Sequence, residues 1–244
     1  MINAIDHVVI LVKDLDAAIA DYSDLGFTVV PGGEHADGLS HNALVALADG
    51  SYLELIAFKR PPPDEHLFST GYKAGEGLVT FALLPTEIAK DVEEVRKRGL
   101  EMDGPFPGGR VRTDGQRVEW QIARPPTRDL PFLCGDVTPR DLRVPGGEAR
   151  QHSNGATGVS SIDLAVTDLA ASMQRYRALL GSEPVLVDNI ATFTLGGASI
   201  ILYGLPEVGD VPRALRLHTG KASSAVETHN IHGAALTFEY LADL

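Results

Sequence analysis

Ile5-Asp6-His7-Val8-Val9-Ile10-Leu11-Val12 leads into Asp14-Leu15-Asp16-Ala17-Ala18 and on through Tyr22 to Leu25-Gly26. Far along the chain, Ser161-Ile162-Asp163-Leu164-Ala165-Val166 leads into Asp168-Leu169-Ala170-Ala171-Ser172 and on through Tyr176 to Leu179-Leu180-Gly181. Each stretch is an apolar strand, an Asp suited to cap a helix, about three helical turns and a stopping Gly. A unit that recurs in this way sets the architecture before any catalytic motif is considered. The first copy carries His7 and, on a later strand, Glu54. At the equivalent places the later copy has Ser161 and Ile201, which cannot make a site.

Working outward from the first stretch, residues 27–30 read as a short second strand and residues 31–40 as a polar loop. Residues 42–48 and 52–58 flank Asp49-Gly50, a strong hairpin signal. The first unit, residues 1–60, is therefore β-α-β-β-β. Residues 59–75, with Pro61-Pro62-Pro63, read as a linker or a long surface loop. A second unit, residues 76–137, has a strand over 78–84 and a helix from a Thr86 cap to Arg98. Its hairpin lies around Asp114-Gly115, and residues 131–134 read as an added edge strand because of Pro131. Residues 136–158 read as irregular. A third unit spans 157–205, and the tail, 206–244, contains strand-like segments over 215–217 and 234–240 with no clear helix, as half of a degenerate fourth unit would.

The expected class is α+β, with repeated β-α-β-β-β units forming curved mixed sheets. Units one and two pair, and their concave face holds the site. The third unit and the tail pack beside them or build part of a homodimer.

Composition narrows the function. The chain has 244 residues, 44% hydrophobic and 22% charged, with a formal net charge of −12. Nucleic acid and anionic membrane are poor electrostatic partners for such a chain. The longest apolar run, residues 8–12, is too short to span a bilayer. Met1 leads directly into a strand, with no basic segment and no cleavable apolar core, so the cytoplasm is the expected compartment. Cys134 is the single cysteine. That rules out an internal disulfide and a multi-thiolate zinc site, and leaves His nitrogen and carboxylate oxygen as metal donors.

The repeated units, with His on the first strand and Glu on the fourth, resemble the vicinal oxygen chelate superfamily, which includes glyoxalase I, extradiol dioxygenases and bleomycin-type resistance proteins. The run Asp6-His7-Val8-Val9, Asp14-Leu15, Gly26-Phe27, His41-Asn42-Ala43-Leu44 and Tyr52-Leu53-Glu54-Leu55-Ile56 is similar to its glyoxalase-like domain branch. His152-Ser153-Asn154-Gly155-Ala156 also resembles a segment of that branch, with Ser153 in place of Pro. The resemblance implies that paired units each give metal ligands from their first and fourth strands.

Here that means His7 and Glu54. Aligning Asp49-Gly50 with Asp114-Gly115 adds Glu119, and offsets from the helix starts put Thr80 or Val79 where a second His would stand. A divalent ion (Zn, Fe, Mn or Ni) would then be held by His7, Glu54 and Glu119, with Glu119 or Glu54 as general base. The implied function is a metal-dependent lyase, isomerase or dioxygenase acting on a small substrate with vicinal oxygens. The alternative is a non-catalytic protein of the bleomycin-resistance type that sequesters a small molecule.

Each residue also has a plainer reading. His7 has the plainer reading of a hydrogen-bonded core histidine, and Glu54 that of the solvated face of an edge strand, the register of the repeat favouring the site in both cases. Glu119 reads as a surface ion-pair partner of Arg117 or Arg112. His41 is either at the pocket mouth or simply exposed, and His152 lies in a loop of the kind that often carries function. Tyr52 and Trp120 join His41 and His152 as candidate substrate-binding residues. His35, His66, His218, His229 and His232 carry no spacing argument and read as surface. Cys134 reads as an edge-strand or core residue.

Overall fold

The computed structural model describes residues 2–221 and 227–240. The first unit runs β1 (Ala4–Leu11), α1 (Leu15–Asp24), β2 (Val30–His35), β3 (Ser40–Ala46) and β4 (Tyr52–Phe58). The Asp14 carboxylate accepts from the Ala17 N–H, satisfying a donor that the first helical turn leaves open. A short helix, α2 (Ser69–Ala74), interrupts the stretch expected to be a linker. The second unit follows as β5 (Gly77–Leu84), α3 (Ile88–Lys97), β6 (Asp103–Val111), β7 (Arg117–Arg124) and β8 (Phe132–Asp136). Next come α4 (Arg140–Arg143) and a 3-10 turn, Gly147–Arg150, both inside the segment expected to be irregular.

The third unit is β9 (Ala156–Val166), α5 (Leu169–Leu180), β10 (Val185–Val187), β11 (Ile190–Leu195) and β12 (Ala198–Gly204). Asp168 caps α5 as Asp14 caps α1, accepting from the Ala171 N–H. The tail adds β13 (Val211–Thr219), β14 (Thr228–Ile231) and β15 (Ala234–Tyr240), with no helix among its described residues. Residues 222–226 and 241–244 of the expected fourth unit lie outside the described residues.

The first two units close into one eight-stranded barrel, ordered β1-β4-β3-β2-β6-β7-β8-β5. In each unit the first strand pairs parallel with the last: β1 with β4, β5 with β8, β9 with β12. The units join antiparallel through β1–β5 and β2–β6. Closure leaves no exposed strand edge, so the expected concave sheet is the inside of a barrel. Accordingly β8 is not an edge strand: it lies between β7 and β5, and Pro131 stands just before it, outside the ladder. The third unit and tail form an open seven-stranded sheet, β10-β11-β12-β9-β13-β15-β14.

The two layers share one apolar core, which runs from Ile5, Val8 and Leu133 of the barrel to Ile162, Phe193 and Leu236 of the sheet. Polar clasps reinforce it. Arg98 donates to the carbonyls of Ala178 and Leu179 at the end of α5, and the Tyr176 hydroxyl donates to the Asp129 carbonyl. A smaller apolar cluster, including Val9, Ile56, Phe68 and Phe132, fills part of the barrel around the site.

Candidate active site inside the barrel

A cavity of about 240 Å³ lies within the barrel, with His7, His35 and Glu54 in its wall. Its apolar lining combines the aromatic Tyr52, Phe68, Trp120 and Phe132 with aliphatic Ile56, Leu67 and Ile122. His7 and Glu54 come from strands that pair directly, with Val9 opposite Glu54 in the parallel β1–β4 ladder. The register of β1 on β5 shifts between Ile5 and His7. Such a bulge re-aims side chains beside a site, and here it allows Asp6 and His7, neighbours in sequence, to meet.

His7 is held on both sides. Its Nδ1 lies 2.6 Å from Asp6 Oδ2, and its ring stacks on Tyr52 with centroids 4.7 Å apart. Burial alone would raise the Asp6 pKa. The Arg143 guanidinium, together with His7, outweighs that effect and keeps the carboxyl well below the usual carboxylate range. Asp6 is therefore an acceptor, so Nδ1 of His7 must be the donor, and in the neutral ring Nε2 is left with its lone pair. That Nε2 faces Glu54 Oε2 at 3.5 Å. Two acceptors face each other across this gap, an arrangement that calls for a proton or a cation between them.

Glu54 is buried, which by itself would raise its pKa. A hydrogen bond from His35, the charges of His7 and His35, and the Asn42 amide bring it down to about 2. Asn42 Nδ2 donates to Oε1 at 2.7 Å, and His35 Nε2 lies 3.4 Å from the same oxygen. The other ring nitrogen of His35 meets the Ser40 hydroxyl at 2.9 Å. A hydroxyl can either donate or accept, so Ser40 supports either tautomer of His35. Two imidazoles and a carboxylate thus converge, a donor set that suits a divalent ion of the zinc-to-iron range. His7 and His35 face different oxygens, so joint ligation would require the Glu54 side chain to adjust.

Asp6, His7 and Cys134 also bring ligand-type atoms within 4.8 Å of one another. That trio is a poor cation site. Arg143 and Arg140 already bind both Asp6 oxygens, and burial pushes the Cys134 thiol far up, so two fixed positive charges would oppose a cation there.

The other candidates lie elsewhere. Glu119 does not line the cavity. Its neighbour Trp120 does, and successive strand residues face opposite sides. The Glu119 carboxylate pairs with Arg117 at 2.7 Å on the surface, so the structure does not bring it together with His7 and Glu54. The reason is topological. In the first unit the Asp-Gly turn joins the third and fourth strands, but in the second it joins the second and third, so matching the turns equates β4 with β7.

The strand that pairs parallel with its own first strand, as β4 does, is β8. A 73-residue offset carries the cap of α1, Asp14, to that of α3, Glu87. It likewise carries His7 to Thr80 and Val9 to Ala82, and the partner of Ala82 is Phe132. Phe132 therefore stands in the place of Glu54, with its ring edge on His7 at 5.4 Å between centroids. The second unit supplies an apolar wall where the first supplies donors.

His41 is part-buried on β3 but does not line the cavity. His152 works as a strut. Its Nδ1 accepts from the Thr28 N–H at 3.0 Å and its Nε2 donates to the Ala46 carbonyl at 2.9 Å. Tyr52 and Trp120 do line the cavity, although the Tyr52 hydroxyl is already engaged by Arg143. His35 and His66, expected at the surface, line the cavity instead. His66 Nδ1 accepts from the Phe68 N–H, and burial lowers its pKa, which leaves a neutral ring with Nε2–H as a donor.

A family profile described as glyoxalase-like domain matches residues 5–180. The chain belongs to the glyoxalase-like domain family. That family lies within the vicinal oxygen chelate superfamily. No curated protein matches the chain. Among solved structures, a hypothetical protein from Staphylococcus aureus is similar with a TM-score of 0.81 at 15% identity, over 97% of this chain and 99% of that one. A mutant 4-hydroxymandelate synthase from Streptomyces coelicolor gives a TM-score of 0.60 at 12% identity, over 89% and 71%. A xylose isomerase-like TIM barrel/4-hydroxyphenylpyruvate dioxygenase fusion protein gives 0.59 at 12%, over 90% and 37%. At these identities the likeness is one of fold, and the glyoxalase-like domain is read from its own residues.

Proposed function

We propose that this glyoxalase-like domain is a metal-dependent enzyme acting on a small, partly aromatic substrate with vicinal oxygens, in the lyase, isomerase or dioxygenase range of its superfamily. The observation that carries the reading is the opposed pair His7 Nε2 and Glu54 Oε2, 3.5 Å apart, with the His7 tautomer fixed from behind by Asp6. His7, Glu54 and His35 would hold the ion. A bound divalent cation would polarise two neighbouring substrate oxygens and stabilise the charge that develops on them. Tyr52 and Asp6 orient His7, Asn42 orients Glu54, and Ser40 orients His35. His66 Nε2–H is available to donate to a substrate oxygen. Tyr52, Phe68, Trp120 and Phe132 exclude water and stack on a planar body. Glu54 is the remaining candidate base from the sequence, since Glu119 is directed away from the cavity.

A chelator-treated protein should regain turnover of 2-oxo acids, 2-oxoaldehyde adducts or catechols on addition of Zn²⁺, Fe²⁺, Mn²⁺ or Ni²⁺. If no ion restores turnover and aromatic ligands stabilise the metal-free protein equally well, the sequestering alternative replaces this reading. The aromatic lining of the cavity favours that alternative in such a case.

A further inference from the structure

Arg110, on β6, lines the cavity although the residue is only 3% exposed. Its Nη2 donates to the Arg143 carbonyl at 2.7 Å, while its buried Nε has no hydrogen-bond partner. Among the described residues no carboxylate pairs with its guanidinium, in contrast to Arg143, which is held by Asp6 and Asp136. Glu54 attracts Arg110 only at longer range, and its carboxylate is occupied by Asn42, His7 and His35. Asp37, also on the cavity wall, is solvent-exposed and binds the Leu39 N–H, so it offers Arg110 no buried counter-charge. A guanidinium taken out of water without a counter-charge is costly. It is tolerated where an anion arrives to share its donors, and a planar fork of N–H groups matches the two oxygens of a carboxylate.

We infer that Arg110 is a specificity-determining residue of this cavity, and that the ligand carries a carboxylate, read by Arg110, on a planar apolar body. The aromatic walls recognise the body and Arg110 the charge. Resting on the proposed function only for the identity of the pocket, this inference narrows the substrate class to small aromatic carboxylates.

Calorimetric titration with benzoate and 2-naphthoate, against benzamide and 2-naphthamide as neutral counterparts, tests it directly. In the wild type each acid is expected to bind at least ten-fold tighter than its amide. Arg110→Met, which keeps the length and removes the charge, should bring acid and amide within two-fold of each other, and Arg110→Lys should recover part of the preference. A purely structural role for Arg110 would lower the melting temperature of Arg110→Met and leave the acid preference intact. That result, equal binding of acid and amide by the wild type, or no binding of either acid would overturn the inference. Repeating the titrations with chelator separates the two readings. Acid preference without any metal effect sinks the metal-dependent enzyme and spares Arg110, and a metal effect without acid preference does the reverse.

Discussion

The Asp6 carboxylate, fully buried, accepts from His7 Nδ1, from both terminal nitrogens of Arg143 and from Arg140. It fixes the tautomer of the imidazole that faces the cavity, and it neutralises Arg143, among the largest fully buried side chains of the protein. Removing one partner of a buried charge pair strands the other, at about 3–5 kcal/mol. Asp6→Asn is therefore expected to lower unfolding stability by about 3 kcal/mol in urea titrations, and an unchanged midpoint would refute the role. The pH dependence has a definite sign. The folded pKa of Asp6 lies below its unfolded value of about 3.9, so its contribution is complete above that value and is lost as pH falls towards the folded one. Wild-type stability should fall on acidification below about pH 4, and the Asp6→Asn curve should be flatter there. His152 acts in the same direction at higher pH. Burial lowers its folded pKa, and protonation of Nδ1 would break the bond from Thr28. Stability should thus decline as pH drops below the unfolded value of about 6.5, a decline that His152→Ala, already weaker by about 1–2 kcal/mol, should lack. Burial also raises the Cys134 thiol, so the folded protein should resist iodoacetamide labelling, and rapid modification at pH 8 would contradict its placement.

At the scale of elements, much of the fold was legible because strands, caps and stops recur at fixed spacing. Offsets from the two Asp caps correctly equate His7 with Ser161, and the ladders agree: Val9 pairs with Glu54 as Asp163 pairs with Ile201. The site was legible only in its first half. His35 was hidden because residues 31–40 read as a polar Pro-Gly loop, yet Val30–His35 is a strand. Its glycines serve close approach rather than turning: a side chain at Gly32 would run into the Asn42 carboxamide, and one at Gly33, where φ is +124°, would meet the Val111 carbonyl. Glu119 misled because an Asp-Gly turn reports a hairpin but not which hairpin of the unit it is. Shifting a strand by one residue also exchanges its faces, which puts Trp120 rather than Glu119 in the cavity. Gly32→Ala should displace Asn42 and, through it, Glu54, and so weaken metal binding at least ten-fold by competition with a chromogenic chelator. Unchanged affinity would show that the Asn42 support is dispensable.

On the scale of the whole molecule, the β-α-β-β-β pattern occurs twice in the barrel and again in the open sheet, and the barrel holds the His7, His35 and Glu54 donors. One continuous apolar core joins them, so barrel and sheet should unfold in a single calorimetric transition, and two resolved transitions would show that the layers are independent. In the proposed function the ion site is made by the first unit alone, from His7, His35 and Glu54. Metal content per chain after equilibration with divalent ions and removal of excess tests it most directly, in the wild type, His35→Ala and Glu119→Ala. The expected result is one ion per chain in the wild type and in Glu119→Ala, and a loss of most of it in His35→Ala. Full occupancy in His35→Ala, or loss of the ion in Glu119→Ala, would contradict the account.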